Sequence, residues 1–300
     1  MGVSMKDIKE LRSRTGAGVL DCKKALNKKD GDVEAAVEYL REKGMADAAK
    51  KAGRVAAEGL VNLEITEDRK KGIIVEINSE TDFVAKNEKF QNLVDEISDH
   101  ILQSNSDDVK TLLEEKWHLD NNKTVNDIIK EAIANIGENI NLRRFKKFES
   151  DGFLYGYIHL GGKIGVMVNF DDEFSKEKEQ TAKDVAMHIA AIKPEYLSQE
   201  DVSQQDIEKE KKIHKEQMLN EGKPEHIIDK IVEGKMNKYY TQVCLLEQPF
   251  VRDDEKSVAD VLKENDMSVS EFVRFEIGEG IEKKEEDFAA EVMAEARKNQ

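Results

Sequence analysis

Six histidines (His100, His118, His159, His188, His214 and His226) and two cysteines (Cys22 and Cys244) are the side chains of this 300-residue chain best suited to bind a metal or attack a substrate. Their spacing supports neither role. There is no His-Glu-x-x-His run, no Cys-x-x-Cys pair and no His–Cys cluster, so zinc hydrolysis and a Cys–His nucleophile find no support. Gly161-Gly162-Lys163 lacks both the spacing and the Ser/Thr of a Walker phosphate loop and reads as a hairpin turn. Gly278-Glu279-Gly280 follows a predicted strand, but the third glycine of a dinucleotide fingerprint would fall at Lys283, with acids following where pyrophosphate would sit. Asp184 and His188 stand one turn apart on a predicted helix and read as a surface ion pair. With 63 acidic residues in the chain, paired carboxylates discriminate nothing. No metal, cofactor or covalent catalysis is expected, and binding to another protein is the function class left.

One segment stands out on physical grounds. Ser79-Glu80-Thr81-Asp82-Phe83-Val84-Ala85-Lys86 joins the end of a predicted strand to the start of a helix and sets an aromatic ring beside a carboxylate at a corner. Periodicity offers a plainer reading, because Phe83 lies seven residues before Phe90 and could begin that helix's buried stripe.

The elements that must position such a corner follow from composition and period. Hydrophobic residues make up 39% and charged residues 37%, which favours charged, solvent-washed helices over disorder. The formal charge of −16 argues against general nucleic-acid binding. That charge is uneven: residues 1–54 carry 13 basic and 9 acidic side chains, against 34 and 54 in the remainder. A mildly basic head on an acidic body suits a protein partner of mixed surface charge. Charges at Lys6, Asp7, Lys9 and Glu10 leave no room for a signal peptide, no run approaches ~18 apolar residues, and two distant thiols make no disulfide framework, so a cytoplasmic protein is expected.

The first forty residues read as three short helices, with a capping-box-like start at Ser4 and Asp7, a break at Thr15–Gly18, and a stop at Gly44. Residues 45–57 form a helical or flexible tether. From Glu58 the period becomes two, giving a β-hairpin through Ile77. A helix on the stripe Phe90, Leu93, Val94, Ile97 and Ile101 follows, then another over Val125–Ile136. The same order recurs in a hairpin at Phe153–Val168 and a helix through Ala182, Val185 and Ile189, which reads as an internal duplication; convergence on a common α/β pattern would look the same. Between Pro194 and Tyr240 an antiparallel helical hairpin turns at Gly222-Lys223-Pro224. Its second helix carries an apolar stripe broader than the first can cover, so another chain or helix is expected to shield it, with core packing inside the same monomer as the plainer alternative. Val243–Val251 and Val273–Ile277 read as returning strands, and Asp287–Lys298 as a last amphipathic helix through Phe288, Val292 and Ala296.

Leu11-Arg12-Ser13-Arg14-Thr15-Gly16-Ala17-Gly18-Val19-Leu20-Asp21-Cys22-Lys23-Lys24-Ala25-Leu26 resembles the N-terminal signature of the bacterial elongation factor Ts family, and Thr81-Asp82-Phe83-Val84-Ala85-Lys86 resembles its second signature. Met187-His188-Ile189-Ala190-Ala191, Gln248-Pro249-Phe250-Val251 and Arg274-Phe275-Glu276-Ile277-Gly278-Glu279-Gly280-Ile281-Glu282 continue the likeness in the same order over nearly the whole chain. Val19-Leu20 departs from it, since many members carry two methionines there, but the apolar character survives. The resemblance implies an α+β protein with a ubiquitin-associated-like helical module at 1–55 and core subdomains at 56–142 and at 143–193 with 240–276. It further implies a coiled-coil dimerisation hairpin at 194–239 and a C-terminal helical module at 277–300. The implied function is guanine-nucleotide exchange on elongation factor Tu. Thr81, Asp82, Phe83 and Val84 would dislodge magnesium and GDP, Leu11, Val19 and Leu20 would grip the nucleotide domain, and His159 would reach a more distant domain. A homodimer through 194–239 and a 2:2 complex with the GTPase fit the resemblance. The alternative is a scaffold that holds the GTPase without exchanging its nucleotide.

Overall fold

A computed structural model describes residues 3–282 of the chain. The head contains α1 (Met5–Thr15), α2 (Val19–Lys28) and α3 (Val33–Lys51). Ser4 and Asp7 cap α1 reciprocally, each side chain accepting the other's backbone N–H at 3.1–3.3 Å, and Gly16 ends it in the left-handed conformation. Ile8, Leu11, Cys22, Ala25, Leu26 and Ala36 form the small head core. Gly44 does not stop α3, as expected from sequence; it lies inside the helix, where an added Cβ would stand 3.0 Å from the Ala134 side chain. The glycine serves close packing of head on body, and the expected tether begins as helix.

The body follows as β1 (Glu58–Ile65), β2 (Lys71–Ser79), α4 (Asp82–Ala85), α5 (Glu88–Gln103), α6 (Val109–Glu114), β3 (Lys116–Trp117), β4 (Asp120–Thr124), α7 (Val125–Ile136) and β5 (Asn141–Glu149). A second series then runs β6 (Phe153–His159), β7 (Ile164–Phe170), α8 (Lys176–Ile192), α9 (Gln204–Asn220), α10 (Glu225–Val243), β8 (Pro249–Phe250), β9 (Asp253–Ser257), α11 (Val258–Glu264) and β10 (Val269–Glu276). The main sheets are antiparallel, ordered β1-β2-β5 and β6-β7-β10, each with its hairpin's second strand in the centre. Alternation along the strands gives each sheet two apolar faces. Val61, Ile74 and Phe148 of one sheet meet Leu154, Met167 and Phe275 of the other. On the outer faces, Ile73, Val75 and Ile77 pack under α5 and α7, and Val166, Val168 and Phe170 under α8 and α11. The body is therefore a four-layer helix–sheet–sheet–helix sandwich, mixing helix and sheet as expected.

The two series repeat at the level of single hydrogen bonds. Lys123-Thr124-Val125-Asn126-Asp127 and Lys256-Ser257-Val258-Ala259-Asp260 both form capping boxes, and both lysines reach a glutamate eight residues on at 2.7 Å. Val61 N–H donates to the Gly162 carbonyl at 2.7 Å, and Leu154 N–H to that of Arg69 at 2.9 Å. His100 accepts the His118 backbone N–H on Nδ1 at 3.3 Å, as His188 accepts that of Val251 at 3.1 Å. Those bonds leave the proton of each neutral ring on Nε2, which faces Glu115 at 3.3 Å in one copy and the Gln248 oxygen at 2.9 Å in the other. Burial lowers the pKa of both rings. His188 is thus a core group and not half of a surface pair; Asp184 instead holds Arg252 at 2.6 Å.

Two further expectations are corrected. The stripe of the helical hairpin is closed within the hairpin, where Met218, Ile228, Val232 and Met236 are buried with Ile207, Ile231, Tyr239 and Tyr240 against them. Val243–Val251 is not one continuous strand: Val243 ends α10, Cys244 makes a single bridge to Tyr196, Cys244 and Leu245 turn into the core, and Pro249–Phe250 pairs with β9. Gly278-Glu279-Gly280 is a latch. Its Gly278 N–H donates to Glu76 at 2.9 Å, and Glu76, wholly buried, also takes Arg143 at 2.8 Å and Arg144 at 2.6 Å. The helix expected at Asp287–Lys298 lies outside the described residues.

Candidate functional site

β2 delivers the chain to the corner at Ser79. Thr81 caps α4, its hydroxyl accepting the Val84 N–H at 3.4 Å. Val84 and Ala85 anchor this single turn in the body, and the half-buried Asp82 accepts from Lys86 Nζ at 2.8 Å. The Lys86 hydrogen bond holds the Asp82 carboxyl below its ordinary pKa, with the nearby Lys163 charge adding to the effect. Phe83 projects outward and keeps 79% of its surface exposed. It does not open the buried stripe of α5, because Asn87 restarts the helix with its own cap after α4 has ended. An exposed ring on an anchored turn offers a partner large apolar area with little side-chain entropy left to lose.

Comparison of the two copies marks this turn as an addition. Gly72 and Gly165 are equivalent strand positions 93 apart, whereas His100 and His188 are equivalent helix positions 88 apart, so the first copy has five extra residues between these points, two in the longer β2 and three in the connection that holds α4. In the second copy the shorter corner is covered: the Arg69 guanidinium lies 4.1 Å from the Phe174 ring centre. The position equivalent to Arg69 beside the Phe83 corner is Gly162, which has no side chain to cover anything.

The remaining sequence-derived residues divide. Val19 and Leu20, in the first turn of α2, are 44% and 72% exposed. Leu11 is completely buried in the head core, so it supports that surface from beneath and offers nothing for a partner to touch. His159 ends β6 half-buried, its Nδ1 2.9 Å from the Tyr157 hydroxyl, between the exposed Ile158 and Leu160. Sequence reasoning missed Glu138. One of its carboxylate oxygens accepts the backbone N–H groups of Glu80 and Thr81 at 3.1 and 3.0 Å, and the other the Thr81 hydroxyl at 2.7 Å. A charged residue just past the helix-ending Gly137 carried no signal beyond solvation.

Among the described residues no group of three or more His, Cys, Asp and Glu is arranged to hold a metal ion, and no helix is long and apolar enough to cross a membrane. Both cysteines are buried, and burial pushes the Cys244 thiol up to about 11, which disfavours the nucleophilic thiolate. What the corner, the head and the β6–β7 turn offer outward is exposed apolar side chains on rigid supports.

Comparison with known proteins places the chain in a family. The family model for elongation factor TS matches residues 80–279. Elongation factor Ts of Halothermothrix orenii is 66% identical over 298 residues, covering 99% of this chain and 100% of that one. The proteins of the same name from Clostridium perfringens and Aquifex aeolicus are 54% and 49% identical, covering 97% and 93% of this chain and 98% and 99% of their own lengths. The chain belongs to the elongation factor Ts family of translation elongation factors.

Proposed function

We propose that the chain promotes guanine-nucleotide exchange on elongation factor Tu in the cytoplasm, binding the GDP form, displacing magnesium and GDP, and holding the empty GTPase until GTP arrives. The observation that carries this reading is Phe83, a bare aromatic ring on an added and anchored turn. Thr81, Asp82 and Val84 shape and hold that turn, while Val19 and Leu20 of the head and the β6–β7 turn around His159 supply further grips. The head acts as a ubiquitin-associated-like module (1–55). The body divides into subdomains 56–142 and 143–193 with 240–276, the coiled-coil hairpin (194–239) can pair two copies in a 2:2 complex, and 277–300 form the C-terminal module.

Exchange requires no acid, base or nucleophile. It is coupling between two binding equilibria, in which each tenfold weakening of nucleotide requires about 1.4 kcal/mol of preference for the empty GTPase. A ring buried in the partner next to its magnesium site supplies preference of that order. The test is release of fluorescent GDP from elongation factor Tu. Substoichiometric amounts of the protein accelerate release if the reading is right; unchanged release by folded protein contradicts it.

A further inference from the structure

We propose that Glu138 is a positioning residue for the Phe83 corner, and that it acts through the backbone of Glu80 and Thr81; the proposal rests on the exchange reading above. A helix of four residues makes too few internal hydrogen bonds to hold itself. The loop before α4 presents two backbone N–H groups, and Glu138 takes both with one oxygen while its other oxygen takes the Thr81 hydroxyl. Such bonds to an ionised acceptor are the stronger kind. The link is reciprocal, because Glu80 accepts the Asn139 N–H at 2.6 Å. It also extends to the head: Asn139 Nδ2 donates to the Arg54 carbonyl at 2.8 Å, and the Arg54 guanidinium lies 3.5 Å from Glu80. The corner and the end of the tether therefore share one fastening.

The internal repeat shows how each corner is held. Lys123 and Lys256 are equivalent positions 133 apart, but Phe148 and Phe275, each opposite the equivalent glycine of the central strand or its next neighbour in the sheet, are 127 apart. The first copy thus has six extra residues between these points, five of them because α7 is longer than α11; the connections that follow the two helices, 137–140 and 265–268, are equal in length. In the first copy this connection bonds to the added corner through Glu138 and Asn139. The second copy lacks the α4 turn, and its α11–β10 connection meets the shorter corner through the Ser268 N–H on Asp172 at 2.7 Å. The added turn carries Phe83, and the α7–β5 connection holds that turn in place.

The test uses the full-length protein and elongation factor Tu loaded with fluorescent GDP, with release followed against factor concentration. Glu138→Ala is expected to lower the maximal release rate about fivefold or more while leaving the half-saturating concentration within about twofold, because docking surfaces are untouched and the wedge is not. Glu138→Gln, which keeps one acceptor oxygen, falls between Glu138→Ala and the unmodified protein. Amide hydrogen exchange at Glu80 and Thr81 accelerates about tenfold or more in Glu138→Ala, while amides in the middle of β2 do not change. A wild-type maximal rate for Glu138→Ala in an assay where Phe83→Ala is slow overturns the proposal, as does a loss confined to the half-saturating concentration. If Glu138→Ala fails to fold, Glu138→Gln decides: a wild-type rate with unaccelerated exchange at Glu80 and Thr81 overturns it. Should Phe83→Ala itself release GDP at the wild-type rate, the exchange reading fails instead, and the amide measurement still reports whether Glu138 holds the corner.

Discussion

Replacing Phe83 by Ala separates a contact residue from a core residue more cleanly than any other single change. The ring is 79% exposed in the free protein. Burying a whole Phe side chain is worth roughly 1.5–3 kcal/mol, so the exposed share that a partner could still cover is worth about 1–2.5 kcal/mol. At about 1.4 kcal/mol per tenfold, the variant should lose roughly 5- to 60-fold in the second-order rate of GDP release. Its melting midpoint should stay close to wild type, because a surface substitution away from packing typically shifts stability by less than about 0.5 kcal/mol. Phe90, wholly buried seven residues on, is the control: Phe90→Ala should cost about 3–5 kcal/mol of stability. Stopped-flow fluorescence of labelled GDP with a thermal melt of each variant reads both quantities. Full activity of folded Phe83→Ala would refute the reasoning, as would a stability loss approaching that of Phe90→Ala.

Other outcomes follow from the same geometry. Leu20→Ala should raise the half-saturating concentration for exchange several-fold with an unchanged melt. Leu11→Ala should cost about 2–5 kcal/mol in head stability, visible as accelerated amide exchange confined to α1–α3. Stability should fall as pH drops below about 6.5, because burial depresses the folded-state pKa of His100 and His188, so the unfolded chain binds more protons in that window. His100 faces Glu115 and His118, and His188 faces Gln248, whose oxygen offers a charged ring a hydrogen bond but no opposite charge against the cost of burial. His188→Gln should therefore flatten the dependence of the melting midpoint between pH 7 and pH 5.5 more than changes at the exposed His226; an equal slope in both variants would contradict that assignment.

Much of the frame was legible because burial follows period. The two hairpins, the stripe of α5 and the three head helices each repeat apolar residues at the spacing their element requires. β5 was not, since Arg143, Arg144, Lys146 and Lys147 give it the look of a charged loop; the two arginines are there to meet Glu76, a contact 67 and 68 residues away. Glu76 itself sits at an alternate position of a strand, and period cannot tell that its face meets a second sheet instead of water. The hairpin stripe was misjudged for a related reason. Ile207, Met218, Tyr239 and Tyr240 are spread over both helices and cover one another only once the helices cross. Phe83 was ambiguous because a seven-residue spacing fits one continuous helix, and only the cap at Asn87 shows that there are two. Latent in the sequence, but unread, was the copy of Lys123–Asp127 at Lys256–Asp260, which would have aligned the two series and exposed the extra residues at the corner.

The central claim is thermodynamic: binding of this chain and of GDP to elongation factor Tu must oppose each other. Isothermal titration of GDP into the magnesium-bound GTPase, with and without saturating factor, measures that coupling directly. The account predicts that the factor weakens GDP affinity by about tenfold or more, a coupling of at least ~1.4 kcal/mol, with the same factor recovered when GDP is held saturating and the protein is titrated. A GDP dissociation constant unmoved by the factor would leave a holding protein and no exchange factor.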